Sequence, residues 1–189
     1  MESDVFYCII LFMEKLTVRK SEKKDLSEIY RVVGAGRKFM RDHGNHVQWT
    51  ESDAIEEKIP CDIEKGNSYV VTSENGMICG TFAFIIGEDP TYAVIEDGEW
   101  PDNEPYGTIH RIASDGRYHG ILTAAVDFCR NLTDNLRIDT YLTNKTMQKC
   151  AVNAGFIYAG VIHVGDGTPR LAYTMKTKRC DPEAHTASK

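Results

Sequence analysis

The chain has 189 residues, which suits one domain that is large enough to bury a substantial core. Hydrophobic residues make up 42% and charged residues 26%, close to the averages of folded soluble proteins, so neither a disordered nor a membrane-embedded protein is indicated. The net charge of −6 argues against non-specific binding to nucleic acid or to anionic lipid, because such binding requires a basic face.

The two ends of the chain are interpreted as lying outside the domain. The apolar run 5–13 is too short to span a bilayer and follows the acidic residues Glu2 and Asp4, unlike a signal peptide. We therefore expect a cytoplasmic protein whose six scattered cysteines are reduced thiols. Met13 begins a second potential start, so residues 1–13 are interpreted as an extension, 14–176 as a single domain and 177–189 as a flexible polar tail.

The first half of the chain predicts a strand followed by two helices and a β-hairpin. The helices are predicted from apolar residues at helical spacing, and the second helix is expected to end at Pro60 or Gly66. The hairpin rests on two runs of β-branched and aromatic residues that flank Asn75-Gly76, a dipeptide typical of tight turns. The predicted bounds are about 16–19 for the strand, 25–41 and 53–64 for the helices, and 68–72 and 77–86 for the hairpin strands.

The second half begins with residues 88–105, which hold seven acidic residues, three prolines and no Lys or Arg, so we expect an exposed loop there. A strand, a helix and a strand follow, and a unit of this length implies parallel strands joined by a crossover helix. A further helix ends at Gly155, and a hairpin turns at residues 165–167. The predicted bounds are 106–113, 120–131, 136–141, 144–154, 156–164 and 169–176.

Residues 114–120, Ser-Asp-Gly-Arg-Tyr-His-Gly, lie between a predicted strand and a helix. A glycine-bearing turn in that position can aim free N–H groups at a phosphate, although an ordinary turn explains the same residues equally well. The order of elements over about Leu16 to Lys176 resembles the GNAT acyltransferase fold, and Arg117-x-x-Gly120-x-Leu122 resembles its pyrophosphate loop R/Q-x-x-G-x-G/A. Leu122 departs from the last position of that motif. A second resemblance is residues 139–147, which place Asn144 at a helix start, followed by Gly-Phe at 155–156.

The resemblance implies an α/β (α+β) fold with a central mixed, mostly antiparallel sheet of about seven strands, a parallel pair at strands four and five, and about four flanking helices. It also implies an N-acetyltransferase that uses acetyl-CoA and transfers the acetyl group directly to a primary amine in a ternary complex. The alternative is a catalytically silent acyl-CoA-binding or sensor domain, which Leu122 and Ala151 favour, because the family often has a tyrosine as general acid at the position of Ala151. A third option is an unrelated α/β domain with a chance glycine turn.

The site residues follow from this resemblance and from side-chain chemistry. His110 is the candidate base because its ordinary pKa suits proton transfer near neutrality, Glu104 is a second acceptor, and Tyr141 is the candidate acid. Each of these residues has a structural alternative, and for Asn144 that alternative is a helix cap. Trp49 and Tyr106 are expected to line the acceptor pocket, with Trp49 as plain core weighed equally. The expected CoA-binding residues are Ile112, Ala113, Ser114, Arg117, Tyr118, His119, Gly120, Ile121 and Asn144.

The expected partner is a small-molecule or peptide amine as acceptor. We expect the protein to bind neither nucleic acid nor membranes, and a homodimer is one option for its assembly. The acidic residues of the loop before the fourth strand predict either a rim that attracts a cationic acceptor or a solvated loop. No metal is expected, since His43-x-x-His46 has no third ligand at a recognisable spacing. The rim consists of Glu96, Asp97, Glu99, Asp102 and Glu104.

Overall fold

A computed structural model describes residues 15–50 and 53–177, so the predicted extension at 1–13 and nearly all of the predicted tail at 177–189 lie outside the described residues. Two short 3-10 turns occupy Lys23–Asp25 and Pro90–Tyr92. The helices are α1 (Leu26–Asp42), α2 (Ile55–Glu64), α3 (Ile121–Cys129) and α4 (Lys145–Asn153). The strands are β1 (Thr17–Lys20), β2 (Ser68–Thr72), β3 (Ile78–Ile86), β4 (Gly107–Ser114), β5 (Asn135–Thr140), β6 (Ile157–His163) and β7 (Pro169–Lys176).

All seven strands form one sheet in the order β1-β2-β3-β4-β5-β7-β6. Neighbouring strands are antiparallel except β4 and β5, which are parallel because α3 carries the chain back to the starting edge. The predicted fold class is therefore confirmed, including the parallel pair at strands four and five. The elements lie within one or two residues of their predicted bounds, but α2 continues through Pro60 to Glu64.

Strand alternation decides which side chains reach each face of the sheet. Ile109 of β4 and Ile138 of β5 pack with α3 and α4 in the larger core cluster. Their neighbours His110 and Asp139 therefore project from the opposite face, on the side of α1 and α2. Burying each large apolar side chain stabilises the fold by about 1.5–3 kcal/mol. Burial of Ile109 and Ile138 therefore fixes the register of the strands, and the register in turn decides the face from which His110 and Asp139 project.

Residues 88–105, which we call the acidic segment, are not simply an exposed loop. The segment crosses the polar face of β5 and β7, and its Glu96 forms a β-bridge with Val161 of β6. Tyr92 is fully buried and stacks on Trp100. Arg137 of β5 lies between the rings of Trp100 and Tyr106, at 3.8 and 3.6 Å from their centroids. These aromatic contacts hold the segment on the sheet, while most of its carboxylates face solvent.

Candidate active site

The parallel strands β4 and β5 separate partway along their length. They pair only through residues 107–109 of β4 and 136–138 of β5. Beyond this point β4 continues along β3 to Ser114, while β5 pairs with β7. The carboxyl ends of the two strands therefore leave an opening between them, which we call the split. Strand edges that lack a partner present N–H and C=O groups that can bind an extended, amide-containing ligand.

A β-bulge in β4 lies beside the split. The register of β4 against β3 gains one residue between His110 and Ala113, so that Arg111 and Ile112 lie opposite a single residue of β3. Arg111 has a φ of +51°, a conformation that residues other than Gly rarely adopt. In the described strands Ile112 pairs with neither neighbour, whereas Ala113 pairs with β3. Of these two predicted CoA-binding residues, Ile112 is therefore the one without a partner in the strand register.

An ion pair connects the bulge to α2. Arg111 Nε donates to Asp62 Oδ2 at 3.0 Å, and Arg111 Nη2 lies 2.7 Å from the same oxygen. Only 19% of the Arg111 side chain and 11% of the Asp62 side chain are exposed. Removing one partner of such a buried pair costs about 3–5 kcal/mol, because the other charge stays buried without compensation. This ion pair thus connects the bulge beside the split to the neighbouring helix.

The first turn of α3 presents free backbone N–H groups. Within the described residues the N–H groups of 118–123 have no protein acceptor, and the first bond of the helix runs from Ala124 to the Gly120 carbonyl. Gly120 has a φ of +83°, which suits glycine and turns the chain into the helix. Leu122, the departure from the family motif, is buried in the core and does not cover this turn. Free donors at the positive end of a helix form an anion site.

Arg117 is engaged by its own loop. Its Nη2 lies 2.6 Å from Asp115 Oδ2 and donates to the Ile78 carbonyl at 3.1 Å. Arg31 of α1 binds the same Asp115 oxygen at 2.9 Å. Burial opposes ionisation of Asp115, but the hydrogen bonds from the two arginines hold the pKa of Asp115 below its usual value. The free donors that this loop offers to an anion are therefore its backbone N–H groups, because the Arg117 guanidinium is already paired.

The remaining predicted residues of this loop divide between structure and surface. Ser114 Oγ accepts the backbone N–H of Gly116 at 3.1 Å, which fixes the turn. Ile121 is buried in the core and Tyr118 packs half-buried against it. His119 is exposed. Of these four residues, Ser114 alone has a side-chain hydrogen bond in the turn.

His110 lies where β4 and β5 separate. Its Nε2 is 3.1 Å from Asp89 Oδ2, and 16% and 22% of the two side chains are exposed. Asp89 Oδ1 also accepts the backbone N–H and the hydroxyl of Thr91. The hydrogen bond with His110 is the main cause that holds the pKa of Asp89 well below its usual range, so the carboxylate stays ionised at neutral pH. Because Asp89 occupies Nε2, the other ring nitrogen, Nδ1, is left to accept a proton.

The row of polar side chains extends from His110 across β5 to β7. The hydroxyl of Tyr92 donates to Asp139 Oδ1 at 2.7 Å, and burial raises the pKa of Tyr92 well above its usual value. The Tyr92 ring also meets the His110 ring edge-on, with 6.1 Å between their centroids. Arg170 of β7 follows, with its guanidinium over the ring of Tyr141. We call this set the polar row; its members are Asp89, Tyr92, His110, Asp139, Tyr141 and Arg170.

Comparison with protein-family models and with curated proteins found no match. Solved structures do match. An acetyltransferase of the GNAT family from Streptococcus agalactiae aligns with a TM-score of 0.79 at 26% identity, covering 89% of this chain and 99% of that one. GNAT-family acetyltransferases from Listeria monocytogenes and Bacillus cereus align with TM-scores of 0.63 and 0.58 at 19% identity, over 86% and 87% of this chain and 95% and 99% of theirs. These alignments show that the chain has the fold of GNAT acetyltransferases and support its assignment to the GNAT superfamily.

The GNAT resemblance assigned Asn144 to the CoA arm, and Asn144 lies at the start of α4, just after β5. Its Oδ1 accepts the backbone N–H of Met147 at 3.0 Å, so the side chain caps the helix as the structural alternative predicted. Its Nδ2 donates to Gln48 Oε1 at 2.9 Å, and Gln48 also accepts from Asn45. These amides join the loop after α1 to the start of α4. Contact of Asn144 with CoA stays a prediction.

Three other predicted residues of the GNAT site are not members of the polar row. Glu104 is exposed and precedes the amino end of β4, whereas the split begins beyond residue 109. Tyr106 is buried, and its hydroxyl accepts the backbone N–H of Asp89 at 3.0 Å, so it positions the acidic segment. Trp49 is 9% exposed and packs in the second core cluster together with Ala113 of β4, as expected if Trp49 is a core residue. The structure therefore brings His110 and Tyr141 together in the polar row without these three residues.

Sequence reasoning missed Asp89, Tyr92, Asp139 and Arg170 as site residues. Asp89-Pro90 is a turn signal, and Asp89 accepts the N–H of Thr91 as the cap of the short turn. Asp139 alternates with Ile138 on a central strand, where a carboxylate needs a partner. Tyr92 and Arg170 carried no such local signal, because their partners lie far away in sequence.

Residues 15–50 and 53–177 contain no group of three or more His, Cys, Asp or Glu side chains that could hold a metal ion. No helix in these ranges has the length and apolar character needed to cross a membrane. The cysteines in the same ranges are unpaired thiols, namely Cys61, Cys79, Cys129 and Cys150.

Proposed function

We propose that the chain is an N-acetyltransferase that transfers the acetyl group of acetyl-CoA directly to a primary amine. The observation that carries this proposal is the split between β4 and β5 with the His110–Asp89 pair at the point where the strands separate. An open strand edge, a proton acceptor and an anion-binding turn all lie along β4 and the turn that follows it. Acyl transfer from a thioester to an amine needs these three features together.

The N–H groups of residues 118–123 fit the pyrophosphate of CoA, since they are free and lie at a helix N-terminus. The split fits the amide-containing arm of the same molecule. The backbone N–H of Ile112, a residue without a partner in the strand register, is the candidate donor to the thioester oxygen, where negative charge develops during attack. Acetyl-CoA supplies the activated acyl group, and the chain supplies orientation and proton transfer.

The amine must react as the free base, because only its lone pair can form the new C–N bond. His110 Nδ1 is the proposed acceptor of the proton that the amine loses, while Asp89 holds the other nitrogen of the ring. As the C–S bond breaks, sulfur takes the electron pair and needs a proton. Tyr141, at the carboxyl end of β5, is the proposed donor of that proton. The acceptor amine is thereby placed on the face of the polar row.

The test is a thermal shift with CoA and acetyl-CoA, followed by an assay of CoA release with a panel of amines. A ligand that prefers the native state stabilises it by about 2.7 kcal/mol at 100 times its Kd, so the melting temperature is expected to rise. No thermal shift at millimolar CoA would contradict the proposal at its first step. Amine-dependent release of CoA would establish the reaction itself.

A catalytically silent CoA-binding domain is the second candidate. Ala151, at the position where GNAT proteins often have a tyrosine, is 1% exposed and packs in the core, so this position supplies no acid. A silent domain would bind CoA and acetyl-CoA, but no amine would cause it to convert acetyl-CoA to free CoA. The His110–Asp89 pair favours the enzyme, because a binding domain has no need of a base at the split.

A further inference from the structure

Arg170 is a largely buried cation with no carboxylate oxygen at hydrogen-bond distance, although Asp139 and Asp166 interact with its charge. Only 12% of its side chain is exposed. The nearest carboxylate oxygen, Asp139 Oδ2, is 3.8 Å from Arg170 Nε, which is beyond hydrogen-bond distance. Its one hydrogen bond is a long contact of 3.4 Å from Nη1 to the carbonyl of the preceding residue, Pro169. In the described residues the Nη2 group has no protein acceptor, and it keeps some contact with solvent, so it is accessible to a ligand.

Other arginines in the chain show what a satisfied guanidinium looks like here. Arg19 makes two short bonds to Asp25, at 2.7 and 2.9 Å. Arg37 makes two to Glu56, at 2.7 and 3.0 Å. Arg111 and Arg117, described above, likewise have a carboxylate oxygen within 2.7 Å. Arg170 stands apart from all of them because its fork of N–H donors is left open.

The surroundings of Arg170 explain why the fork stays open. Asp139 directs its other oxygen to the Tyr92 hydroxyl at 2.7 Å, and that bond holds the carboxylate away from a two-point contact with the guanidinium. The Tyr141 ring lies 3.7 Å from Arg170 Cζ and fixes the guanidinium by stacking. Stacking uses the face of the group and leaves its edge, where the donors are, free for a planar anion.

We propose that Arg170 binds the carboxylate of an acceptor that carries both an amine and a carboxylate, so that the substrate class is an amino acid or a similar zwitterion. This inference rests on the proposed acetyltransfer at the split. Arg170 lies at the β7 end of the polar row and His110 at the β4 end, so one molecule can present its carboxylate to the first and its amine to the second. A carboxylate matches the guanidinium with two parallel hydrogen bonds.

The charges of the polar row fit a zwitterion better than a simple cation. Asp89 and Asp139 favour an ammonium group as it arrives, whereas Arg170 repels a second positive charge. A polyamine would place such a charge near Arg170 and leave the guanidinium without an anion. An amino-acid-like acceptor satisfies both ends of the row.

The experiment compares amino acids with their own carboxamides as acceptors for acetyl-CoA, in the wild type and in Arg170→Gln. The carboxamide keeps the amine and the shape of the side chain but removes the negative charge. We expect kcat/KM in the wild type to favour the acid, and Arg170→Gln to reduce the value for the acid by about 10- to 100-fold while that for the amide changes less than about threefold. Differences in amine basicity cancel when variant and wild type are compared for each acceptor.

Two further variants and a binding measurement keep the test decisive. Arg130→Gln removes an exposed arginine at the end of α3 and should leave the preference for acids unchanged. Arg170→Lys keeps the positive charge but removes the paired N–H donors of the guanidinium, and it replaces Arg170→Gln in the test if that variant does not fold. Calorimetry of the acids and amides in the presence of CoA reports the same preference without turnover. Equal binding and equal turnover of acids and amides in the wild type would overturn this inference, whereas failure to bind CoA would overturn the proposed function instead.

Discussion

The proposed cofactor side and the proposed acceptor side of β4 are built on different principles. The cofactor side is the turn from Ser114 to Gly120 and the start of α3, where consecutive residues present backbone N–H groups. Its charged side chains Asp115 and Arg117 neutralise each other within the loop. The acceptor side is the polar row, where Asp89, His110 and Arg170 come from three segments that are far apart in the sequence.

This difference separates a general function from a specific one. A phosphate site made of backbone donors tolerates changes such as Leu122, since the side chain points into the core and the N–H groups stay. An acceptor site made of side chains changes with every substitution, because each donor or charge belongs to one residue. We therefore expect variants on the two sides to separate CoA binding from acetyl transfer.

The largest effect is expected from His110→Ala on the acceptor side. Loss of a positioned base typically lowers the chemical rate by about 100-fold or more, so kcat should fall by that factor. The Kd for CoA, measured by calorimetry, should change by less than about twofold, since the base acts only in the chemical step. His163→Ala, at an exposed position on β6, is the matched control and should leave both quantities unchanged. Parallel losses of CoA affinity and kcat would make His110 a structural residue.

The fold could be predicted from the sequence because its signals are local and consistent. Asn75-Gly76 marks the β2–β3 turn, and the apolar residues of α1 recur at helical spacing. The bulge could not be predicted, since nothing in the sequence around Arg111 announces a positive φ. The side chain of Arg111 pairs with Asp62, which lies on a different element and is far away in the sequence.

The same limit applies to the candidate site. The glycine turn before α3 was predicted because Gly120 and its spacing are local. His110 was singled out by its chemistry, but its partner Asp89 lies in a segment that was expected to be an exposed loop. Burial of Tyr92 and Trp100 brings that segment onto the sheet, and such long-range packing leaves no local pattern.

The second effect concerns the bulge, which lies between the two sides. In Asp62→Asn the charge that holds Arg111 is lost while the shape of the side chain is kept. We expect the backbone at Ile112 to relax and kcat to fall by about tenfold, the equivalent of about 1.4 kcal/mol in the activation barrier. Glu56→Gln, which removes the partner of Arg37 from the same helix, is the control for loss of an ion pair on α2.

Both variants are expected to lose stability, which chemical denaturation measures. The bulge has a catalytic role only if kcat falls for Asp62→Asn and not for Glu56→Gln at equal loss of stability. Equal kcat values in the two variants would reduce the Arg111–Asp62 pair to a structural contact.

A smaller effect is expected from Gly120→Val on the cofactor side. No atom lies within 4 Å of a Cβ added to Gly120, so the variant should fold, but its φ of +83° strains any L-residue. The left-handed conformation costs about 1–2 kcal/mol, and relief of this strain would turn the N–H groups away from the phosphate. We expect the Kd for CoA to rise about fivefold at an unchanged kcat. Gly167, with a φ of +79° and equally open surroundings in the β6–β7 turn, gives the matched control Gly167→Val. A similar loss of CoA affinity in both variants would place the phosphate elsewhere.

The smallest effect is expected from the acidic rim. Asp102 is paired with Lys176 at 2.8 Å. The exposed Glu96 forms a β-bridge with the edge strand β6, and β7 separates β6 from β5, the strand that borders the split. At physiological salt, charges separated by more than about 8 Å are largely screened, so this rim should contribute little to capture of a cationic acceptor. Replacing Glu96, Asp97 and Glu99 by their amides should change kcat/KM by less than about twofold at 0.15 M salt, measured with amines of rising charge. A larger, salt-sensitive loss that grows with the charge of the amine would show that acceptor choice extends beyond the polar row to the rim.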